Sequence, residues 1–395
     1  MNRALFALSL FAAVLLLTAG AAPAAAQNER PRFSTGLIFP RQSNHNHAPG
    51  IAELPNGDLI VSWYRGSGER QADDVAVLGA RRAAGSTAWS EPFLMADTPG
   101  FPDCNTALMT DAKGRLFLFW PVILANTWES CLTHVRICNH PERPGPPVWD
   151  HTNTLLLKPD DFSAAATAAL DQQLADLPPL PEKTQASIAD ARSRLSQKLY
   201  QRLGWQPRCK PTVLPSGRIL LPLYTDTFSL SLMAISDDGG QSWFAGQPML
   251  GFGAIQPAVL RKTDGTLVAF MRENGFSGNV RRAESRDEGI SWGPVVSAGL
   301  PNPGSGLDAV RLSSGRWLLV HNDTTDGRNR LAVSISGDEG DTWNTPRYLE
   351  NQTSGSYHYP CVIQARDGRI HVVYSSFTEA GKSMQHAEFD EAWLR

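Results

Sequence analysis

One short pattern recurs along the chain: a small or polar residue, a glycine, one further residue, then a run of apolar positions. It reads Asn56-Gly57-Asp58-Leu59-Ile60-Val61, Lys113-Gly114-Arg115-Leu116-Phe117-Leu118 and Ser216-Gly217-Arg218-Ile219-Leu220-Leu221. It returns as Asp264-Gly265-Thr266-Leu267-Val268-Ala269, Ser314-Gly315-Arg316-Trp317-Leu318-Leu319 and Asp367-Gly368-Arg369-Ile370-His371-Val372. Each is a glycine turn feeding a strand, the signal of a β-hairpin. The glycines are 57, 103, 48, 50 and 53 residues apart. A period near 50 residues predicts four short strands per unit, which cannot bury their faces alone but can in a ring. Six units predict an all-β fold, a six-bladed β-propeller. The 103-residue interval predicts one blade plus an insertion.

The insertion has a different period. Ile188, Ala191, Leu195, Leu199 and Leu203 recur at spacings of three and four, one face of a helix. Pro178, Pro179 and Pro181 separate this stretch from the Ala- and Leu-rich segment 164–174. A helical hairpin is expected over about residues 158–206, either as a lid or rim over a cleft or as a packing or dimerisation element. A second repeat, S-x-D-x-G-x-[ST]-W, begins at Ser236, Ser285 and Ser336, in phase with the blades. A worn copy ends at Trp89. Asp and Ser suit the backbone amides of a folded turn, Gly its positive φ, and Trp packs beneath, so these residues read as structural.

The N-terminus is patterned for export. Arg3 precedes an apolar run from Ala4 to Leu17, and small residues end at Ala26, the plan of a secretory signal. The run is shorter than the roughly 20 residues of a membrane span. Residues 1–26 are therefore expected to be removed. Residues 27–395 then form one exported propeller domain, periplasmic or extracellular, with no stable membrane insertion. Five cysteines are too few and too odd in number for a disulfide scaffold. Cys131 and Cys138 are the nearest pair, and a metal site with His134 lacks a second ligand pair at zinc spacing. No cofactor or metal is expected. Lys+Arg number 36 against 39 Asp+Glu, with no basic block, which argues against a nucleic-acid partner.

The S-x-D-x-G-x-[ST]-W turns are those of Asp-box, or BNR, repeats. The chain resembles the sialidase (neuraminidase) superfamily, in its bacterial exo-sialidase branch, over nearly the whole mature chain except the helical insertion. The resemblance implies a site at the propeller centre. Three arginines there hold a sugar carboxylate, a carboxylic acid donates a proton, and a tyrosine activated by a glutamate is the nucleophile. A guanidinium matches a carboxylate plane and stays charged near neutral pH. A tyrosine nucleophile is the exception to the two-carboxylate rule of glycosidases.

Carried over by motif, the second arginine falls on Arg272 and the third on Arg328, with Arg330 close by. Tyr359, nine residues before Gly368, takes the nucleophile's place. Tyr357, two residues away, is expected on the same strand face as a substrate-binding residue. Two positions depart from the family. His47, in His47-Ala48-Pro49, stands where the first arginine is expected. Gln256, nine residues before Gly265, stands where the activating glutamate is expected. Glutamine accepts no proton, and a tyrosine of ordinary pKa, about 10, without a base is mostly protonated at pH 7. The acid is sought in the loop 66–74, with Glu69 or Asp73 favoured and Asp74 expected to cap a strand start.

Blade arithmetic expects His47, Asn105, Gln256, Asp308 and Tyr359 to share one central funnel, with Asn105 and Asp308 binding substrate. Trp63, Tyr64, Trp128 and Tyr224 are expected either to stack on a sugar or to fill the core. The partner is then a glycan bearing a carboxylate. Three functions follow. The first is an exo-acting sialidase-type glycosidase releasing a terminal acidic sugar, sialic acid. The second is a uronic-acid-directed lyase or hydrolase with His47 as base. The third is a non-catalytic glycan-binding propeller.

Overall fold

The computed structural model describes residues 31–175, 178–275 and 277–394; the expected signal segment 1–26 lies outside them. Each glycine turn joins the first two strands of an antiparallel sheet, and six sheets stand in a ring. Blades 1 to 5 follow the chain, with strands within 45–96, 107–154, 206–245, 254–301 and 308–351. Blade 6 takes Ser356–Gln364, Ile370–Thr378 and Gly381–Phe389 from the C-terminal end. Its outer strand is Phe33–Leu37, which pairs antiparallel with Gly381–Phe389 and closes the ring. The fold is the six-bladed propeller that the glycine period predicts.

The apolar runs are continuous because the middle strands are covered on both faces by neighbouring blades. Leu116–Ile123 is buried at every residue. The core lies between blades: Leu318, Val320 and Val333 of blade 5 meet Val362, Val372 and Tyr374 of blade 6. The S-x-D-x-G-x-[ST]-W turns hold these sheets at their edges. In the first, the Asp238 carboxylate accepts the Gln241 and Ser242 amides, both at 2.9 Å, and the Ser236 hydroxyl accepts the Gly240 amide at 2.8 Å. Trp243 then packs edge-on against Phe119. Ser236 pairs with Ile219, beside the glycine turn, so these turns sit at the opposite strand ends from Tyr359.

The insertion is helical: α1 (Phe162–Ala175), α2 (Glu182–Leu195) and a short α3 (Lys198–Arg202). Phe162, Ala166, Leu170 and Leu195 are buried with Trp205 and Phe228 against blades 2 and 3. All five cysteines are free and buried. Cys131 and Cys138 oppose Ile123 and Leu116 at the two ends of one strand. At about 3.3 Å per residue they are too far apart to form the bridge that their nearness in sequence left open.

Candidate active site

The six residues nine positions before the turn glycines are Ala48, Asn105, Arg208, Gln256, Gly306 and Tyr359. They are the innermost residues of the six blades. Ala48, Asn105, Gln256 and Tyr359 have positive φ, between +26° and +58°. Pairing registers slip at this point in blades 1, 4 and 6, where Pro49, Pro257 and Pro360 follow the left-handed residue. Each is a bulge, which re-aims a side chain into the channel and tolerates a proline without an amide proton.

Tyr359 is the centre of the arrangement. Its hydroxyl oxygen accepts a 2.7 Å hydrogen bond from Arg272 Nη1, and Gln256 Nε2 lies 3.4 Å away. Arg328 stands with Cζ 5.7 Å from the ring centroid, and its Nη2 donates to the Gly304 carbonyl. Arg208 lies 4.9 Å from the same centroid. Its guanidinium donates to the carbonyls of Pro49, Tyr359 and Pro360, so it ties blades 1, 3 and 6 together. Gly306 faces the ring: a Cβ there would meet Tyr359 Cδ1 at 2.2 Å and Gln256 Oε1 at 3.0 Å. Arg208 and Gly306 are absent from the expectations above. The nine-residue offset finds both when it is counted in every blade.

A histidine wall stands on one side. His47 stacks on Tyr359 with centroids 4.4 Å apart, and His358 meets His47 edge-on at 4.7 Å. His47 Nδ1 lies 2.8 Å from the Ser375 hydroxyl. Burial holds His47 well below the usual imidazole pKa, reinforced by His358, His45 and the nearby arginines. Burial does the same to His358, reinforced by Arg328. Both rings are neutral at neutral pH. Beyond them, Glu69 accepts from Tyr64 at 2.8 Å and lies 3.1 Å from His45 Nε2 and 3.5 Å from Arg70. Burial would raise its pKa, but the bonds from His45 and Tyr64 outweigh burial and hold it below the carboxylate norm. Glu69 is an anion.

An amide wall stands on the other side. Asn105 Nδ2 donates to Gln206 Oε1 at 2.9 Å and to the Tyr224 hydroxyl at 3.2 Å. Gln256 also bonds Tyr224, whose pKa burial pushes well above 10.0. Gln256 Oε1 is buried without a partner.

Not every expected residue joins this funnel in the expected way. His47 is one position out of phase, because Ala48 holds the innermost place; its ring reaches Tyr359 by stacking. Asp308 lies two residues beyond Gly306 and is buried. Its Oδ2 accepts from Lys210 Nζ at 2.7 Å and the Val362 amide at 2.8 Å, a tie between blades rather than an open ligand group. Tyr357 does not share a face with Tyr359. The bulge between His358 and Cys361 breaks the two-residue alternation, and Tyr357 turns into the core between blades 5 and 6. Asp73 stands exposed at the rim, bonded to Asn126 Nδ2 at 2.8 Å. Asp74 accepts the Ser67 amide at 3.0 Å, capping the loop from its far side. Trp63 is wholly buried in the core.

Residues 198–372 match the model of the BNR repeat-like domain. That segment is BNR repeat-like, and the six-bladed fold of the described chain is one it shares with sialidases. It is 28% identical over 169 residues to the sialidase of Micromonospora viridifaciens, covering 40% of this chain and 25% of that protein. The chain spans about a quarter of the length of the curated relatives it matches. Its fold is shared with a Dyadobacter fermentans protein of unknown function at a TM-score of 0.67 and 17% identity, covering 90% of this chain and 97% of that one. The NanB sialidase of Streptococcus pneumoniae gives a TM-score of 0.67 at 13% identity, covering 91% and 71%.

Proposed function

We propose that this BNR-repeat propeller cleaves glycans at a terminal acidic sugar, as an exo-acting glycosidase of the sialidase type. The observation that carries this reading is the convergence of Arg272 and Arg328 on Tyr359 in the central funnel. Two guanidiniums there grip a sugar carboxylate, and the tyrosine oxygen sits where positive charge develops at the anomeric carbon. The signal-like pattern of residues 1–26 supports an exported enzyme. The test is hydrolysis of a fluorogenic α-sialoside. Arg272→Ala is expected to lower kcat/KM by about 10- to 100-fold, the worth of a charge-assisted hydrogen bond. An inactive wild-type protein of intact fold overturns the reading.

A second reading has its own observation. Gln256 replaces the base expected beside Tyr359, while His47, neutral at neutral pH, stacks on the same ring. A neutral imidazole beside a tyrosine and two arginines suits proton abstraction next to a uronate carboxylate, with β-elimination. Uronic-acid oligosaccharides that gain the ultraviolet absorbance of an unsaturated product, with the gain lost in His47→Ala, would select this reading.

A further inference from the structure

Glu69 is held as an anion by three neighbours and Asp73 stands outside the funnel, so neither offers a proton to a leaving group at neutral pH. A third carboxyl lies on the amide wall. Asp226 follows the strand Ile219–Thr225 of blade 3, half-buried, at the end of that strand remote from the Gly217 turn and thus on the side of Tyr359. Gln206 Nε2 donates to its Oδ2 at 3.0 Å. Its Oδ1 has no hydrogen-bond partner among the described residues. From Gln206 the bonds run through Asn105 and Tyr224 to Gln256, beside the Tyr359 hydroxyl. Arg272, the donor to that hydroxyl, and Arg70 are the cations that face Asp226; Glu129, Tyr224 and Cys131 are the other titratable groups around it.

We propose that Asp226 is the proton donor of this site, protonating the leaving glycosidic oxygen of a substrate whose carboxylate Arg272 and Arg328 hold. The proposal rests on the glycan-cleaving reading above. In the step, the Asp226 O–H proton passes to the glycosidic oxygen. The electron pair of the anomeric C–O bond leaves with that oxygen, and the aglycone departs as an alcohol. The carboxylate left behind faces Arg272 and Arg70, and takes a proton back from the water that completes hydrolysis. Burial supports the assignment, because it raises the Asp226 pKa against the pull of both arginines, as a carboxylic acid working near neutral pH requires.

The experiment compares leaving groups. Asp226→Asn is expected to lower kcat/KM on a sialyl disaccharide by about 100-fold or more, while an α-sialoside of a strongly acidic phenol loses less than about 10-fold. The alkaline limb of the pH profile is expected to vanish with it. Equal losses on both substrates, or this signature in Glu69→Gln instead, overturn the proposal. If wild-type protein cleaves no sialoside but does cleave uronic-acid oligosaccharides, the sialidase reading fails alone. Elimination also needs its leaving oxygen protonated, and the same variant tests it there. Infrared spectra give a readout without turnover. In an Asp103→Asn background, which removes the other carboxyl that burial raises to about 6, the protein should show a protonated carboxyl band at pH 6 that Asp226→Asn removes, and a spectrum without that band overturns the proposal. Asp226→Glu, expected to keep the band, controls for a variant that fails to fold.

Discussion

At the residue scale the site is built by backbone conformation as much as by side-chain choice. A left-handed φ is costly for a bulky residue, yet Tyr359 adopts +53° and Gln256 +58°. Both are held there by the bulges and by neighbours that leave no alternative. Gly306 is the most exacting of these neighbours, since the Tyr359 ring occupies the space of its missing Cβ. Gly306→Ala must therefore push the ring aside. A shift near 1 Å is expected to cut kcat/KM by about 100-fold, with a smaller loss in the binding of free sugar acid than in turnover. Calorimetry beside kinetics checks this, and unchanged turnover would show that Tyr359 is not the working group. The same residues show what the sequence could reveal. Tyr359, Arg272 and Arg328 were legible from motif offsets. Tyr357 was placed by a two-residue alternation that the bulge in blade 6 interrupts, and Asp308 by a blade count taken two residues out of phase with Gly306. Asp226 had no motif, because its character comes from the neighbours that the fold supplies.

At the element scale the blades were readable because every inner hairpin needs a glycine turn, and glycine is visible in sequence. The closing strand Phe33–Leu37 has no such turn, and its residues are exposed throughout, so no apolar pattern announced it. The insertion was readable as helix, but its face was extended too far. Ser196 and Gln197 break the chain between α2 and α3, so Leu195 is wholly buried while Leu199 is 55% exposed. The difference is measurable. Leu195→Ala empties a site shared with Phe162, Trp205 and Phe228 and is expected to cost about 2–5 kcal/mol in urea unfolding. Leu199→Ala is expected to stay within about 0.5 kcal/mol. Equal effects would mean that the hairpin packs elsewhere. Arg194 of α2 lies 3.4 Å from Glu129, one of the groups around Asp226, so loosening α2 is also expected to raise KM for long glycans.

At the scale of the whole molecule, a ring is only as stable as the seam between its last and first blades. Here Arg82 of blade 1 pairs with Glu388 of blade 6 at 2.8 Å, and Trp89 meets His386 edge-on. Behind them His371 and His386 stack, with Nδ1 and Nε2 3.1 Å apart. Burial lowers His371 to about 4 and His386 to about 3, with Arg82, Arg369, Asp367 and Glu388 as the charges that face the pair. The folded pKa values lie below the unfolded value, so the seam is fully stable above about pH 6.5 and loses stability as pH falls toward 4. For His371 alone the loss is on the order of 3 kcal/mol. Arg82 overcomes the burial of Glu388 and holds its pKa below the usual carboxylate range. Asp103 works the other way. Burial raises it to about 6, so it favours the fold as pH falls from 6 to 4 and offsets about one imidazole. The second imidazole leaves a net acid loss. Tm is therefore expected to fall from pH 6.5 to 4, more steeply in Asp103→Asn and less steeply in the double variant His371→Gln, His386→Gln. A wild-type Tm that is flat over that range, with the double variant unchanged, would show that the two rings do not carry the seam.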